Sequence, residues 1–376
     1  INKNPDGSIL EYYDYSYDNR GNQLTKTENG ITTTYAYDKL NRLVKENGTT
    51  YTYDNAGNRL TKTDDSASIS YAYDQKNRLT RETAGDIITT YSYDNNGNLT
   101  EKSDGTGYDY NAFNQLLESS NVDGSWQLNI YDAIGLRMAM VENGSYTQFT
   151  YDRGNLIADY DKDEHKKTRY NRGYDLLSQK NGEDTTSYYL HNGHGDVTKL
   201  VDGNGNVINS YSYDAFGNTV SYIEKVENRF RYSGEQQDVV TGAYYLRARY
   251  YEPQVGRFTQ EDAYKGNVND PLSLNLYTYC MNNPIIYIDP SGHKAMYVDS
   301  GDVKPTKCGS GSTVEWRTGN KERELLAYEQ DLVNMMNSDS IVEVVKNLGK
   351  YFWNRWPGRW GEINEQNALI MGLDPE

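Results

Sequence analysis

A recurring Tyr-x-Tyr-Asp quartet constrains this chain more than any other feature. It stands at Tyr15–Asp18, Tyr35–Asp38, Tyr51–Asp54, Tyr71–Asp74 and Tyr91–Asp94, with Asp-to-Asp steps of 20, 16, 20 and 20. Looser copies follow at Tyr131-Asp132, Tyr151-Asp152 and Tyr211–Asp214. A period of this size marks repeated supersecondary units, and missing it would misread the whole fold. Thr33-Thr34-Tyr35-Ala36-Tyr37 alternates strand formers with period two. Asp54-Asn55-Ala56-Gly57-Asn58 is turn chemistry, since Gly and Asn accept positive φ and Asp caps its own turn. Arg59-Leu60-Thr61-Lys62 then alternates again as a return strand. Asn-Gly pairs at 29–30, 47–48 and 143–144 close the hairpins. A lone hairpin is marginal in water, so the hairpins are expected to stack into one continuous curved antiparallel sheet over residues 1–228. Lys, Arg and Glu on the return strands predict a solvated face.

Composition narrows the function. Of the aromatic residues, 37 are Tyr, 6 Phe and 5 Trp, a content too high for a disordered chain. With 54 acidic against 38 basic residues the net charge is −16, which argues against generic nucleic-acid binding. No run of about 20 apolar residues offers a membrane span. Two cysteines, Cys280 and Cys308, and four scattered histidines support neither a disulfide scaffold nor a zinc site. No cofactor and no metal is expected. His191-Asn-Gly-His194-Gly-Asp196 lacks a placed third ligand, and Asp202-Gly-Asn-Gly-Asn206 lacks the terminal Glu of a calcium loop and reads as a hairpin turn. The tyrosines read either as the packing ladder of the sheet or as a carbohydrate-binding surface, and spacing does not separate the two. The chain opens Ile-Asn-Lys-Asn-Pro, without initiator Met or export signal, and reads as a piece of a longer protein.

After about residue 228 the pattern changes. RFRYSGEQQD (229–238), TGAYYLRARYYEP (241–253), VGRFTQED (255–262), LNLYTYCMNNP (274–284) and YIDPSGH (287–293) follow one another. Residues 15–220 resemble YD repeats, and 229–292 closely resembles the RHS-repeat-associated core domain. The resemblance implies an all-β fold: a sheet of hairpins spiralling into a hollow shell, plugged or curled into at one end by the core domain. It implies three parts, 1–228 as YD-repeat shell, 229–293 as core domain and 294–376 as a variable C-terminal toxin or pre-toxin region. Polymorphic toxins of bacterial competition, insecticidal toxin cocoons and animal teneurins share this architecture. The implied function is an encapsulating scaffold of a secreted, cell-surface or cell-wall-associated bacterial toxin. Its implied partners are the enclosed C-terminal polypeptide and an immunity protein for it. A carbohydrate-binding adhesive is the competing reading.

In several family members two Asp residues cut the chain just after the core domain. Two close carboxylates cannot both ionise, so one supplies acid and the other base. By motif, Asp289 of Asp-Pro-Ser-Gly matches the second of these. Asp262 matches the first less well, because Ala263 stands where Pro is usual and the loop to Leu274 is long; Asp270-Pro271 is its rival. Arg247, Arg249 and Arg257 are candidates to orient a carboxylate. The cut is placed at Gly292, His293 and Lys294. Asp-Pro-Ser-Gly reads equally as a tight turn. In the tail, helical spacing runs over 320–337, a second helix opens at Ser340 and a third segment covers 362–371. No catalytic signature appears there, and Glu322, Glu324, Glu329 and Asp331 read as a solvated helix face. A Cys280–Cys308 bond would tether a cut tail.

Overall fold

The computed structural model describes residues 2–298 except 4, 5 and 174. The tail helices predicted beyond residue 320, and Cys308, lie outside the described residues. The rest is almost entirely β. Twenty-two strands, from Tyr13–Tyr17 to Thr219–Ile223, follow one another in sequence order, and that order returns on itself as a closed barrel. Each strand pairs antiparallel with the next, as in Tyr51↔Lys62 or Tyr189↔Leu200.

The Tyr-x-Tyr-Asp quartet explains the curvature. Its Asp builds the turn: Asp54 N–H donates to the Asn58 carbonyl, while Oδ1 accepts the Asn58 N–H at 2.8 Å and Oδ2 its side-chain amide at 2.8 Å. Asp38 and Asp74 do the same with an Arg guanidinium four residues on, each at 2.7 Å. The second Tyr ties one hairpin to the one before. Tyr53 donates to the Leu43 carbonyl, Tyr73 to that of Arg59 and Tyr213 to that of Val197, at 2.7–2.9 Å. At each of these tyrosines the ladder slips by a residue. Such bulges bend a strand and raise its twist, which turns a flat sheet into a ring. The first Tyr (Tyr35, Tyr51, Tyr71, Tyr91) and the leucines Leu43, Leu79 and Leu99 are buried inside. On the outside, hydroxyls pair across strands, Ser16 with Thr25 and Thr52 with Thr61.

The solvated face predicted for the return strands is half right. Lys45, Arg81 and Glu101 are exposed. Their alternate neighbours point inward by the period-two rule and find partners there. Lys62 pairs with Asp214 at 3.4 Å, Glu46 accepts the Ala215 N–H at 2.9 Å, and Lys102 pairs with Glu252.

A ring of twenty-two strands is too wide for its own side chains to fill, since about eight strands is the filled limit. Residues 229–293 supply the filling. Asn283 donates to Asn22 and the Asn41 carbonyl, Asn282 to the Gly57 carbonyl, and Tyr277 to that of Gly97. Arg137 meets Asp238 at 2.5 Å with both side chains fully buried, and Arg229 meets Asp159 at 3.3 Å. Tyr251 donates to the Phe216 carbonyl. These partners run right round the ring and include many of the Tyr-Asp turns. A buried segment that touches every sector of a ring lies within its mouth, so this block is a plug.

Candidate functional site

The plug carries the residues singled out for cleavage. Leu246 to Arg249 turn tightly, with Arg247 at φ +62°. Residues 290–292 lie against that turn in register. The Pro290 carbonyl accepts from Arg247 Nη1 at 2.5 Å, the Ser291 carbonyl from the Ala248 N–H at 3.4 Å, and the Gly292 carbonyl from Arg249 Nε. Gly292 sits at φ +73°, and a Cβ there would meet the Leu246 carbonyl oxygen at 2.5 Å and Arg249 N at 2.9 Å. Only glycine permits this approach.

The Arg249 guanidinium is the hub. It holds Asp262 Oδ2 at 2.8 Å, Asp289 Oδ2 at 3.8 Å and the Leu276 carbonyl at 2.8 Å, besides Gly292. Phe258 lies beneath it, 3.5 Å from guanidinium carbon to ring centre. Burial pushes its pKa down to about 10, against the pull of both carboxylates, so it is cationic at neutral pH. Asp262 and Asp289 are 6% and 4% exposed. Asp289 Oδ1 accepts the Ser291 hydroxyl at 3.1 Å, the His293 N–H at 3.1 Å and the Lys294 N–H at 3.0 Å. Asp262 Oδ1 accepts the Tyr264 N–H at 2.9 Å and meets His293 Nδ1 at 2.8 Å. Cys280 is buried nearby, and burial with the Asp289 charge pushes its thiol well up, so it stays neutral.

The structure therefore brings together Asp262, Asp289, Arg249, Gly292 and His293. It separates Arg257, which donates to Asn58 Oδ1 at 3.1 Å and the Asn77 carbonyl at 2.5 Å, and clamps the plug to the barrel rim. Its expected supporting role at the carboxylates is corrected accordingly. Arg247 pairs with Glu235 and reaches the cluster through the Pro290 carbonyl. Asp270 is exposed at the start of a short 3-10 turn and is no rival to Asp262. The sequence reading missed the side chain of His293 and the hydroxyl of Ser291. The available signal was position: His293 follows the Asp-Pro-Ser-Gly turn directly.

The other candidates resolve as turns. His194 Nδ1 bonds Asp196 at 2.7 Å while the His191 ring stacks on Tyr189, so the two imidazoles do not converge. Asp202 caps Asn204 and Asn206 in a hairpin turn. Among the described residues one His/carboxylate group is close enough to share an ion, Asp161, Asp163 and His165, on a solvent-facing turn that Asp161 itself caps. No described helix is long and apolar enough to cross a membrane. The repeat tyrosines spend their ring faces on packing within the barrel.

A closed antiparallel barrel stopped by its own following segment defines a shell-type scaffold. The chain belongs to the teneurin YD-shell family, whose model matches residues 9–285. It is 38% identical over 174 residues to the tRNA(Glu)-specific nuclease WapA of Bacillus subtilis subsp. natto, an overlap of 45% of this chain and 7% of that protein. It is 41% identical over 97 residues to toxin subunit YenC2 of Yersinia entomophaga, 24% of this chain and 10% of that one. The chain thus spans a small fraction of these relatives. The TcdB2-TccC3-TEV structure superposes on 77% of this chain and 17% of its own with a TM-score of 0.57 at 19% identity. The Photorhabdus luminescens Tc holotoxin pore does so over the same shares with a TM-score of 0.55. These two likenesses establish the shared fold.

Proposed function

We propose that this chain is the closing end of an encapsulating scaffold that houses and releases a variable C-terminal effector of a secreted bacterial toxin. Three parts divide the work: 1–228 as shell, 229–293 as plug, 294–376 as effector or pre-effector. The observation that carries the reading is where the chain leaves the plug. The Gly292–His293 peptide lies on a buried Arg–Asp–Asp cluster, with its carbonyl oxygen on Arg249 and its N–H on Asp289. The relatives named as toxins and nucleases support the same reading.

The cluster suits hydrolysis of that peptide. Arg249 polarises the Gly292 carbonyl and stabilises the oxyanion that forms when water adds to its carbon. Asp262, on the same guanidinium, is placed to take the water proton, and Asp289 aligns the departing nitrogen. Breaking the C–N bond gives a Gly292 carboxylate and a free amine on His293. An immunity protein for the effector would protect the producing cell. The test is expression in a heterologous bacterium: residues 293–376 alone should arrest growth and residues 1–292 should not. If neither arrests growth, the effector reading is wrong for this segment.

A further inference from the structure

We propose that His293, the residue just beyond the cut, is the proton carrier of its own release. The proposal rests on the cleavage reading above and deepens it.

A hydrolysis must deliver a proton to the leaving amine as well as remove one from water. Asp289 is poorly placed to do the former. Its Oδ1 already accepts three donors, two of them backbone N–H groups at 3.0 and 3.1 Å, so that oxygen is fully engaged as an acceptor. Asp262 Oδ2 is held at 2.8 Å by the Arg249 guanidinium and Oδ1 accepts the Tyr264 N–H at 2.9 Å, so both of its oxygens are engaged by donors. Neither carboxyl is set up as the acid, so a simple shared-proton pair leaves the amine without a donor. His293 Nδ1 lies 2.8 Å from Asp262 Oδ1, and its side chain is 43% exposed while both Asp side chains are below 10%.

The transfer balances. Water adds to the Gly292 carbonyl carbon, and its proton passes to Asp262 and on to His293 Nδ1. The imidazolium then gives that proton to its own backbone nitrogen as the C–N bond breaks. Nδ1 and N of one histidine are joined through Cγ, Cβ and Cα, so the shared proton closes a six-membered ring. No oxidant, metal or further reactant is needed. The charged and titratable groups around the imidazole are Asp262, Asp289 and Arg249, with Lys265, whose Nζ lies 3.4 Å from the Asp262 carbonyl, its partner Glu261, and Cys280, Tyr279 and Glu235 beyond Asp289. Of these the imidazole alone belongs to a class that ordinarily changes charge between pH 5 and 8.

The test uses the full chain made by cell-free synthesis and chased at pH 5 to 9, with cleavage followed on denaturing gels. The wild type should cut more slowly as pH falls through that window. His293→Asn keeps a donor near Nδ1 but cannot carry a proton; it should cut about 100-fold more slowly and lose the pH limb. His293→Ala should regain speed when imidazole is added to the buffer. A matching thermal midpoint for the variants excludes misfolding. If His293→Asn cuts at the wild-type rate, or slows while keeping the same limb, the proton-carrier role is overturned and cleavage by the Arg249 cluster stands. If the wild type is never cut at Gly292, both readings fall.

Discussion

Glu46 gives a quantitative test of whether the barrel lumen is as closed as described. It lies on the return strand Leu43–Glu46, opposite Tyr35, and faces inward. Burial, and then the neighbouring Asp214 charge, push its carboxyl up to about 7, against the Ala215 N–H and the more distant Lys26 and Lys62. A raised folded value means the folded chain holds the proton between roughly pH 4.5 and 7 while the unfolded chain has released it. Stability therefore falls as pH rises through that window and levels off above it. The shift from 4.5 to about 7 corresponds to about 3 kcal/mol. Glu46→Gln keeps the oxygen that accepts the Ala215 N–H and removes the ionisation. At about 2 °C per kcal/mol for a barrel of this size, it should raise the thermal midpoint by about 6 °C at pH 8 and hardly at all at pH 5. Tyrosine fluorescence against temperature at the two pH values is the assay. An equal effect at both, or destabilisation at pH 8, would mean that Glu46 is ionised and wet, and the closed lumen would be wrong.

Three further outcomes follow from the plug. Arg137→Met leaves the fully buried Asp238 without its partner, so it should cost about 3–5 kcal/mol, whereas Arg137→Met with Asp238→Leu should recover most of that in urea titrations. Gly292→Ala should abolish cleavage with little change in barrel midpoint, because the clash is confined to the turn at Leu246 and Arg249. Arg257→Met should loosen the rim, seen as faster amide exchange near Asn58 and Asn77, yet leave the cut site intact.

The barrel was readable because its rules are local. Period-two alternation, an Asp that caps its own turn and Asn-Gly hairpins all act within about ten residues, and each holds in the structure. What was hidden depends on closure. The inward turn of Lys62 and Lys102 is fixed by Asp214 and Glu252, residues 150 or more positions away. Arg257 looked like a neighbour of Asp262, five residues on, but its partners are Asn58 and Asn77 across the ring. Asp262 and Asp289 were found by motif, yet their link through Arg249 and His293 needed the plug folded back on itself.

The claim that the plug holds a peptide ready for release at one bond is tested most directly by the termini of the purified chain. The account predicts two polypeptides, the second an 84-residue fragment beginning at His293. Asp262→Asn and Asp289→Asn should each give one uncut chain with an unchanged β-rich far-UV spectrum. An intact wild-type chain, or a fragment beginning elsewhere that survives both substitutions, would contradict it.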